Sequence, residues 1–257
     1  MDILSVIILS LVEGITEFLP ISSTGHLILV SELLNLDQTH FLSTFQISIQ
    51  VGAVLAVLGL YAKRLIAHPT LILKAFIGLL PTAIVGVFAY PIIKNYLLDS
   101  TLIVAISLIL GGILIIIMEK YLFKDKSNDE KLESITYKQA LFTGLTQSIA
   151  VIPGVSRAAS SIFGGMISGL NRRTATEFSF ILALPTIMAA SGYDLIKTAP
   201  AFTQNEIISL ILGIILSFIF ALISIKWLIK YVSTHNFTNF GWYRIIIGII
   251  FLIIALN

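Results

Sequence analysis

Ten apolar runs divide this chain, and only some of them are long enough to cross a bilayer. They lie at about residues 3–17, 25–34, 41–62, 72–92, 101–118, 139–152, 158–169, 175–196, 207–230 and 241–256. An α-helix rises about 1.5 Å per residue, so a hydrocarbon layer of about 30 Å asks for about 20 residues. Six runs reach or approach that length: 41–62, 72–92, 101–118, 175–196, 207–230 and 241–256. The other four come in pairs, 3–17 with 25–34 around Pro20, and 139–152 with 158–169 around Pro153. Lipid offers no water to satisfy loose backbone groups, so each pair is either one kinked span or a re-entrant hairpin whose short helices meet near the midplane. Composition agrees, since 57% of the 257 residues are hydrophobic and 12% charged, outside the range of soluble domains. The lack of cysteine excludes disulfides, thiolate chemistry and Cys-ligated metals. Met1-Asp2 leads straight into apolar sequence with no basic stretch before it, so the first run is expected to remain in the mature protein.

An internal repeat accounts for the two pairs. A shift of 130 residues lays Gly14-Ile-Thr-Glu17 on Gly144-Leu-Thr-Gln147, and a shift of 133 lays Pro20 on Pro153, Ser23 on Ser156 and Phe45 on Phe178. The halves 1–118 and 139–257 then each hold a short-helix pair and three spans, joined by the charged, solvated linker 119–138. The positive-inside rule chooses between hairpin and kinked span. With re-entrant pairs, thirteen lysines and arginines, from Lys63 to Arg244, share one side against Lys94 and Lys197; kinked spans would give nine against six. The expected fold class is therefore an all-α polytopic membrane protein with an inverted-topology repeat, each half a re-entrant helix hairpin plus three transmembrane helices. The basic side and the linker face the cytoplasm, both termini are extracytoplasmic, and the hairpin tips approach one another from opposite sides. Arg157 is left as the one basic residue inside the membrane.

Chemistry concentrates at those tips. In Glu13-Gly-Ile-Thr-Glu17-Phe-Leu-Pro20-Ile-Ser22-Ser23-Thr24-Gly25-His26, two carboxylates stand one helical turn apart, where like charges repel. A charge at mid-bilayer also costs roughly 2.5–3.5 kcal/mol on insertion scales. A proton or cation held between Glu13 and Glu17 relieves both costs. Pro20 is expected to end the first helix, and Ser22-Ser23-Thr24 to cap a second one over 25–34. The open amides at that helix start, with its dipole, suit an anion. At the second tip, Pro153-Gly-Val-Ser156-Arg157-Ala-Ala-Ser160-Ser161 puts Ser156 at an N-cap and an arginine in the first turn. An arginine there is unfavourable against the dipole unless an anion joins it, and guanidinium forks onto phosphate. Two helix starts with Arg157 between them would hold a diphosphate.

Plainer readings compete. Hydroxyls near helix starts most often cap, and this is the preferred reading of Ser22, Thr24 and Ser160. Glu17 and Arg157 can form a structural ion bridge. Gln46 and Gln50 read as bonds between helices, and Glu177 as a partner of a helix N-terminus. His40, His68 and His235 form no ligand cluster.

Taken as a set, Glu-x-x-x-Glu at Glu13 and Glu17, Ser-Ser-Thr-Gly-His at 22–26 and Pro-Gly-x-Ser-Arg at 153–157 resemble the undecaprenyl-diphosphate phosphatase family of the bacitracin-resistance type, over the whole chain. The family pattern continues Ser-x-x-Thr after the arginine, where this chain has Ala158 and Ser161. The resemblance implies an enzyme of the bacterial inner membrane that removes the terminal phosphate of undecaprenyl diphosphate with a divalent cation, Mg²⁺ or Ca²⁺. It implies catalytic Glu17, Ser23, His26 and Arg157, substrate contacts from Glu13, Ser22, Thr24, Ser156 and Ser161, and Glu13 and Glu17 as metal ligands. The site would open to the periplasmic side. Membrane lipids and the polyprenyl diphosphate are the expected partners, a homodimer is a candidate assembly, and nucleic acid is not expected. Ser23 activated by His26 or Glu17, His26 itself, and water all remain open as nucleophile, with Ser23 preferred. The competing class is a secondary transporter or lipid flippase with a midplane anion or proton site, since inverted repeats with broken helices also build carriers.

Overall fold

The computed structural model describes residues 1–92, 101–122, 131–198 and 202–256, all helix and connecting loop. Lys94, Lys124, Lys126, the side chain of Lys197 and the middle of the linker lie outside the described residues. The first short pair is α1 (Ile3–Thr16) and α2 (Ser23–Leu33), followed by α3 (His40–Ala67), α4 (Thr70–Ile92) and α5 (Thr101–Tyr121). After a 3₁₀ turn at Leu132–Ser134 comes the second pair, α6 (Tyr137–Gln147) with a 3₁₀ extension Ser148–Val151, and α7 (Arg157–Ile167). The chain closes with α8 (Arg172–Thr198), α9 (Gln204–Val232) and α10 (Thr238–Leu256). Local sequence sets these limits: Asp2 and Thr39 cap α1 and α3, and Thr136 with Gln139 and Thr203 with Glu206 form capping boxes at α6 and α9. Among the described residues five helices, α3, α4, α5, α8 and α9, are long and apolar enough to span. The sixth expected span, α10, is apolar but has 19 residues.

The surface is apolar. Phe76, Leu80, Ile84 and Phe88 on α4, Ile211, Ile215, Ile219 and Ile223 on α9, and Ile246 and Ile253 on α10 all face outward, as lipid-facing helices require. Inside, α1 packs on α9 and α6 on α4; α3 lies on both α8 and α9, and α8 on both α3 and α4; α5 lies along α10. When α1–α5 are exchanged with α6–α10, α1 on α9 turns into α6 on α4 and α3 on α9 into α8 on α4, while α3 on α8 and α5 on α10 each turn into themselves. Backbone approaches make the first two close: a side chain at Gly14 would strike the Ser217 carbonyl of α9, and one at Gly144 the Gly78 carbonyl of α4.

Charged groups gather where α3 ends, α5 ends and α8 begins. Arg64 joins Glu133 (2.6 Å) and Glu177 (2.7 Å), Arg173 joins Glu177 (3.0 Å), and Arg172 joins Glu119 (2.6 Å). Glu177 is thus held by two arginines, more than a helix dipole partner. The Arg64 guanidinium holds the Glu133 carboxyl down at about 2, and buried Leu132 and Ile135 pin the end of the linker beside it. Arg244, expected on this basic side, is elsewhere. It sits one and a half turns inside α10 and is 1% exposed.

Candidate active site

The first tip is built by a turn that apolar anchors force. Beyond Thr16 the backbone tightens through Leu19 N–H to Thr16 carbonyl (3.2 Å) and Ile21 N–H to Leu19 carbonyl (2.8 Å), with Phe18 and Ile21 buried. Ser22 then takes φ 71° and ψ 91°, a region that costs a residue with a Cβ roughly 1–3 kcal/mol. It is held at both ends: its hydroxyl caps the Gly25 amide (3.5 Å), and the His26 Nδ1–H donates to its carbonyl (2.8 Å). Ser23 opens α2, and its Oγ–H donates to Glu17 Oε2 at 2.5 Å.

The second tip repeats the device. Ser156 has φ 77° and ψ 114°, and its hydroxyl caps the Ala159 amide (3.2 Å). The residue that shares its conformation is Ser22, one position before the Ser23 that the sequence shift aligns with it; the N-cap geometry, not the serine itself, sets the correspondence. Gly154 (φ 88°) lies so close to α5 that a side chain would meet the Val104 carbonyl and Ser107. Arg157 opens α7. Its Nε and Nη2 reach Glu17 Oε1 at 3.2 Å each, Nη1 donates to the Ser179 carbonyl (3.2 Å), and the guanidinium lies 5.7 Å from the centre of the Phe18 ring. The ion bridge is therefore present. Its bonds are somewhat longer than the roughly 2.7–2.9 Å of tight charge-assisted pairs, and the guanidinium also borders the cavity.

A cavity of about 250 Å³ lies between the tips, lined by Glu17, Ser22, Ser23 and Thr24 from the first and Pro153, Gly154, Ser156 and Arg157 from the second. Six of the nine expected site residues thus share one space. The other three do not line it. His26 turns its Nε2 to the Tyr243 hydroxyl (2.7 Å), the two rings parallel within 3°. With the Nδ1 proton on Ser22, Nε2 is the acceptor and Tyr243 the donor. Ser161 is fully buried against Ser179 Oγ (2.6 Å) and the Arg157 carbonyl (2.9 Å). Glu13 is fully buried, and neither carboxylate oxygen has a hydrogen-bond partner.

That orphaned carboxylate bears on a cation. A buried, unpartnered charge is too costly to persist without a proton or a metal, and Glu13, Glu17 and the Ser23 hydroxyl offer only oxygen, the donor that Mg²⁺ and Ca²⁺ prefer. The residues fit such an ion. No cluster of three or more His, Asp or Glu occurs among the described residues, so substrate oxygens would have to complete its coordination.

Sequence reasoning missed three groups. Gln50, read as an interhelical bond, lines the cavity, whereas Gln46 does bond across helices to Ser31 (3.0 Å). Tyr243 supports His26 from 217 residues away. Arg244 is a second buried arginine, so Arg157 is not alone within the apolar core. All five of its N–H groups go to carbonyls: Leu108 (3.4 Å) and Ser107 (3.1 Å) on α5, Pro20 (3.3 Å) at the first tip, Gly154 (2.9 Å) and Val155 (3.0 Å) at the second. Gly111 and Gly112 make room, since a side chain at Gly111 would collide with the guanidinium. Arg244 fastens both tips to one another. The signal was in the sequence as a glycine pair on one span and an arginine well inside another.

Comparison with known proteins follows the same line. The family described as bacitracin resistance protein BacA matches residues 6–250. A protein of Wolinella succinogenes named undecaprenyl-diphosphatase is 51% identical over 253 residues, covering 98% of each chain. Proteins of the same name from Aquifex aeolicus and Persephonella marina are each 47% identical, over 95% and 100% of both chains. With a match over nearly its full length and these relatives beside it, the chain belongs to the BacA bacitracin resistance family.

Proposed function

We propose that this protein is an integral-membrane undecaprenyl-diphosphate phosphatase, which returns the lipid carrier of cell-wall synthesis to its monophosphate form and so confers bacitracin resistance. The observation that carries the reading is the Ser23–Glu17–Arg157 chain, 2.5 Å and 3.2 Å between successive partners, on the wall of a cavity between two helix starts. Relatives sharing about half of its residues bear the matching name.

Phosphoryl transfer asks chiefly for an aligned nucleophile and neutralised charge. Glu17 Oε2 takes the Ser23 proton as Oγ attacks the terminal phosphorus. The bond to the bridging oxygen breaks, and its electron pair leaves with the lipid phosphate. Arg157 and the first-turn amides of α2 and α7 hold the phosphate oxygens. Water then attacks the phosphoserine, the P–Oγ bond breaks, and Oγ recovers the proton from Glu17. His26 acts through position: it fixes the Ser22 carbonyl and with it the turn that presents Ser23. A divalent cation held by Glu13 and Glu17 would add positive charge at the diphosphate.

The inverted repeat and its orientation belong to the same proposal. Exchange-symmetric helix pairing and two identical caps support two related halves, and the clustering of Arg64, Lys74, Glu119 and Arg172 with the linker supports a common cytoplasmic side. Both termini and the opening of the site would then face outward.

The test is phosphate release from undecaprenyl diphosphate by the purified protein in detergent, with and without excess chelator. Release abolished by chelator is the expected result. A carrier would release none, and full activity in chelator would mean that the Glu13–Glu17 pair works through a proton. Labelling of a single cysteine at position 128 from outside intact cells would overturn the topology.

A further inference from the structure

The part of the cavity wall supplied by α4, α6 and α8 carries a polar cluster that the steps above leave unused. Gln147, the last residue of α6 and 0% exposed, donates from Nε2 to Thr82 Oγ1 and to Thr186 Oγ1, 3.1 Å each. All three residues line the cavity. Both hydroxyl protons are already committed, Thr82 to the Gly144 carbonyl (3.1 Å) and Thr186 to the Leu182 carbonyl (2.7 Å). The threonines can therefore only accept, which fixes the orientation of the amide: reversing it would set Oε1 against two oxygens with no proton to give. Gln147 Oε1 is left as a buried acceptor with no partner, a state that proteins seldom keep without a use.

An acceptor without a partner selects what can sit beside it. Ionised phosphate oxygens are acceptors too and are repelled. Within the hydrolytic reading, the one reactant that brings hydrogens is water. We infer that Gln147 Oε1 seats the water that cleaves the phosphorylated enzyme, making Gln147 a catalytic residue that touches a reacting molecule. The water donates one hydrogen to Oε1. Its oxygen forms the new bond to phosphorus as the P–Oγ bond to Ser23 breaks, Oγ takes the proton held by Glu17, and the second water hydrogen leaves with the inorganic phosphate or passes to solvent. Glutamine orients this water and removes no proton, as the water-positioning glutamine does in GTP hydrolysis.

The inference rests on the phosphatase reading, and the test separates the two. In water–methanol mixtures the phosphoryl group divides between inorganic phosphate and methyl phosphate. Methanol has one O–H and cannot donate to Oε1 while giving up a proton, so the parent enzyme should favour water beyond its share of the mixture. Gln147→Met removes the acceptor, and the methyl phosphate to phosphate ratio should rise roughly threefold to tenfold, the worth of one hydrogen bond. Gln147→Glu keeps an oxygen there and should shift the ratio less. Because the ratio is a property of each turnover, it is unaffected by the fraction of variant that folds. An unchanged ratio in Gln147→Met overturns the role of Gln147; a parent that releases no phosphate from a polyprenyl diphosphate overturns the phosphatase reading itself.

Discussion

The two tips that meet in the cavity share a backbone and differ in what they carry. Ser22 and Ser156 have φ of 71° and 77°, each caps the amide three residues on, and each precedes a helix of 11 residues. Yet the first tip holds Glu17 and Ser23, an acid and a hydroxyl in contact, while the second holds Arg157 and the neutral Gln147. On the proposed reaction the two tips would divide the labour: the first would supply the attacking hydroxyl, and the second would receive charge and water. On that reading the reaction would need both tips, since Ser23 and Glu17 stand on one and Arg157 on the other.

The comparison breaks most sharply at the attacking tip. Ser23→Ala should lower phosphate release by about a thousandfold or more, as removing a nucleophile does, with the Thr24→Ala rate near that of the parent. Similar losses from both would mean that the helix start, and not the hydroxyl at position 23, matters. At the receiving tip, Arg157→Lys keeps the charge and loses the fork, and the rate should fall about a hundredfold. A near-parent rate would leave the bridge to Glu17 as the whole function of Arg157, and then Arg157→Gln with Glu17→Gln should be active as well as stable.

Arg244→Gln tests what the tips have in common. Loss of charge-assisted bonds to both loops should cost roughly 3 kcal/mol, seen as a lower midpoint of thermal unfolding in detergent; an unchanged midpoint would show the tips to be held by their own caps. The smallest effect is expected from Tyr243→Phe, which removes one bond to His26 worth about 1 kcal/mol. Activity should stay within about tenfold of the parent, and a loss approaching that of Ser23→Ala would assign His26 a direct proton-handling role.

Where local rules govern, the sequence was legible. Helix limits fell within a few residues of expectation because Asp2, Thr39, Thr136 and Thr203 are capping residues in their own right. The gathering of Glu17, Ser23 and Arg157 was readable because charge and hydroxyl are rare in apolar sequence and must find one another. Arg244 was not, since the positive-inside count treats any arginine near a span end as cytoplasmic, and its burial depends on Gly111 and Gly112 of a different helix. His26 likewise reads as chemistry in its own segment, and only Tyr243, on α10, shows which way its ring nitrogens are committed. Gln147 carries no charge and stood out only as a counterpart of Glu17 in the repeat.

The place of Arg244 along the chain also orders its synthesis. The carbonyls it satisfies belong to Pro20, Ser107, Leu108, Gly154 and Val155, all of which leave the ribosome before α10 does. Until that last helix inserts, these carbonyls lack the donor that ties them in the finished protein, in surroundings where an unmet carbonyl is costly. The loops at both tips thus gain their bonds from Arg244 only once α10 has joined them. A nascent chain stalled before α10 holds every residue of the Ser23–Glu17–Arg157 relay and lacks the clasp that aligns it.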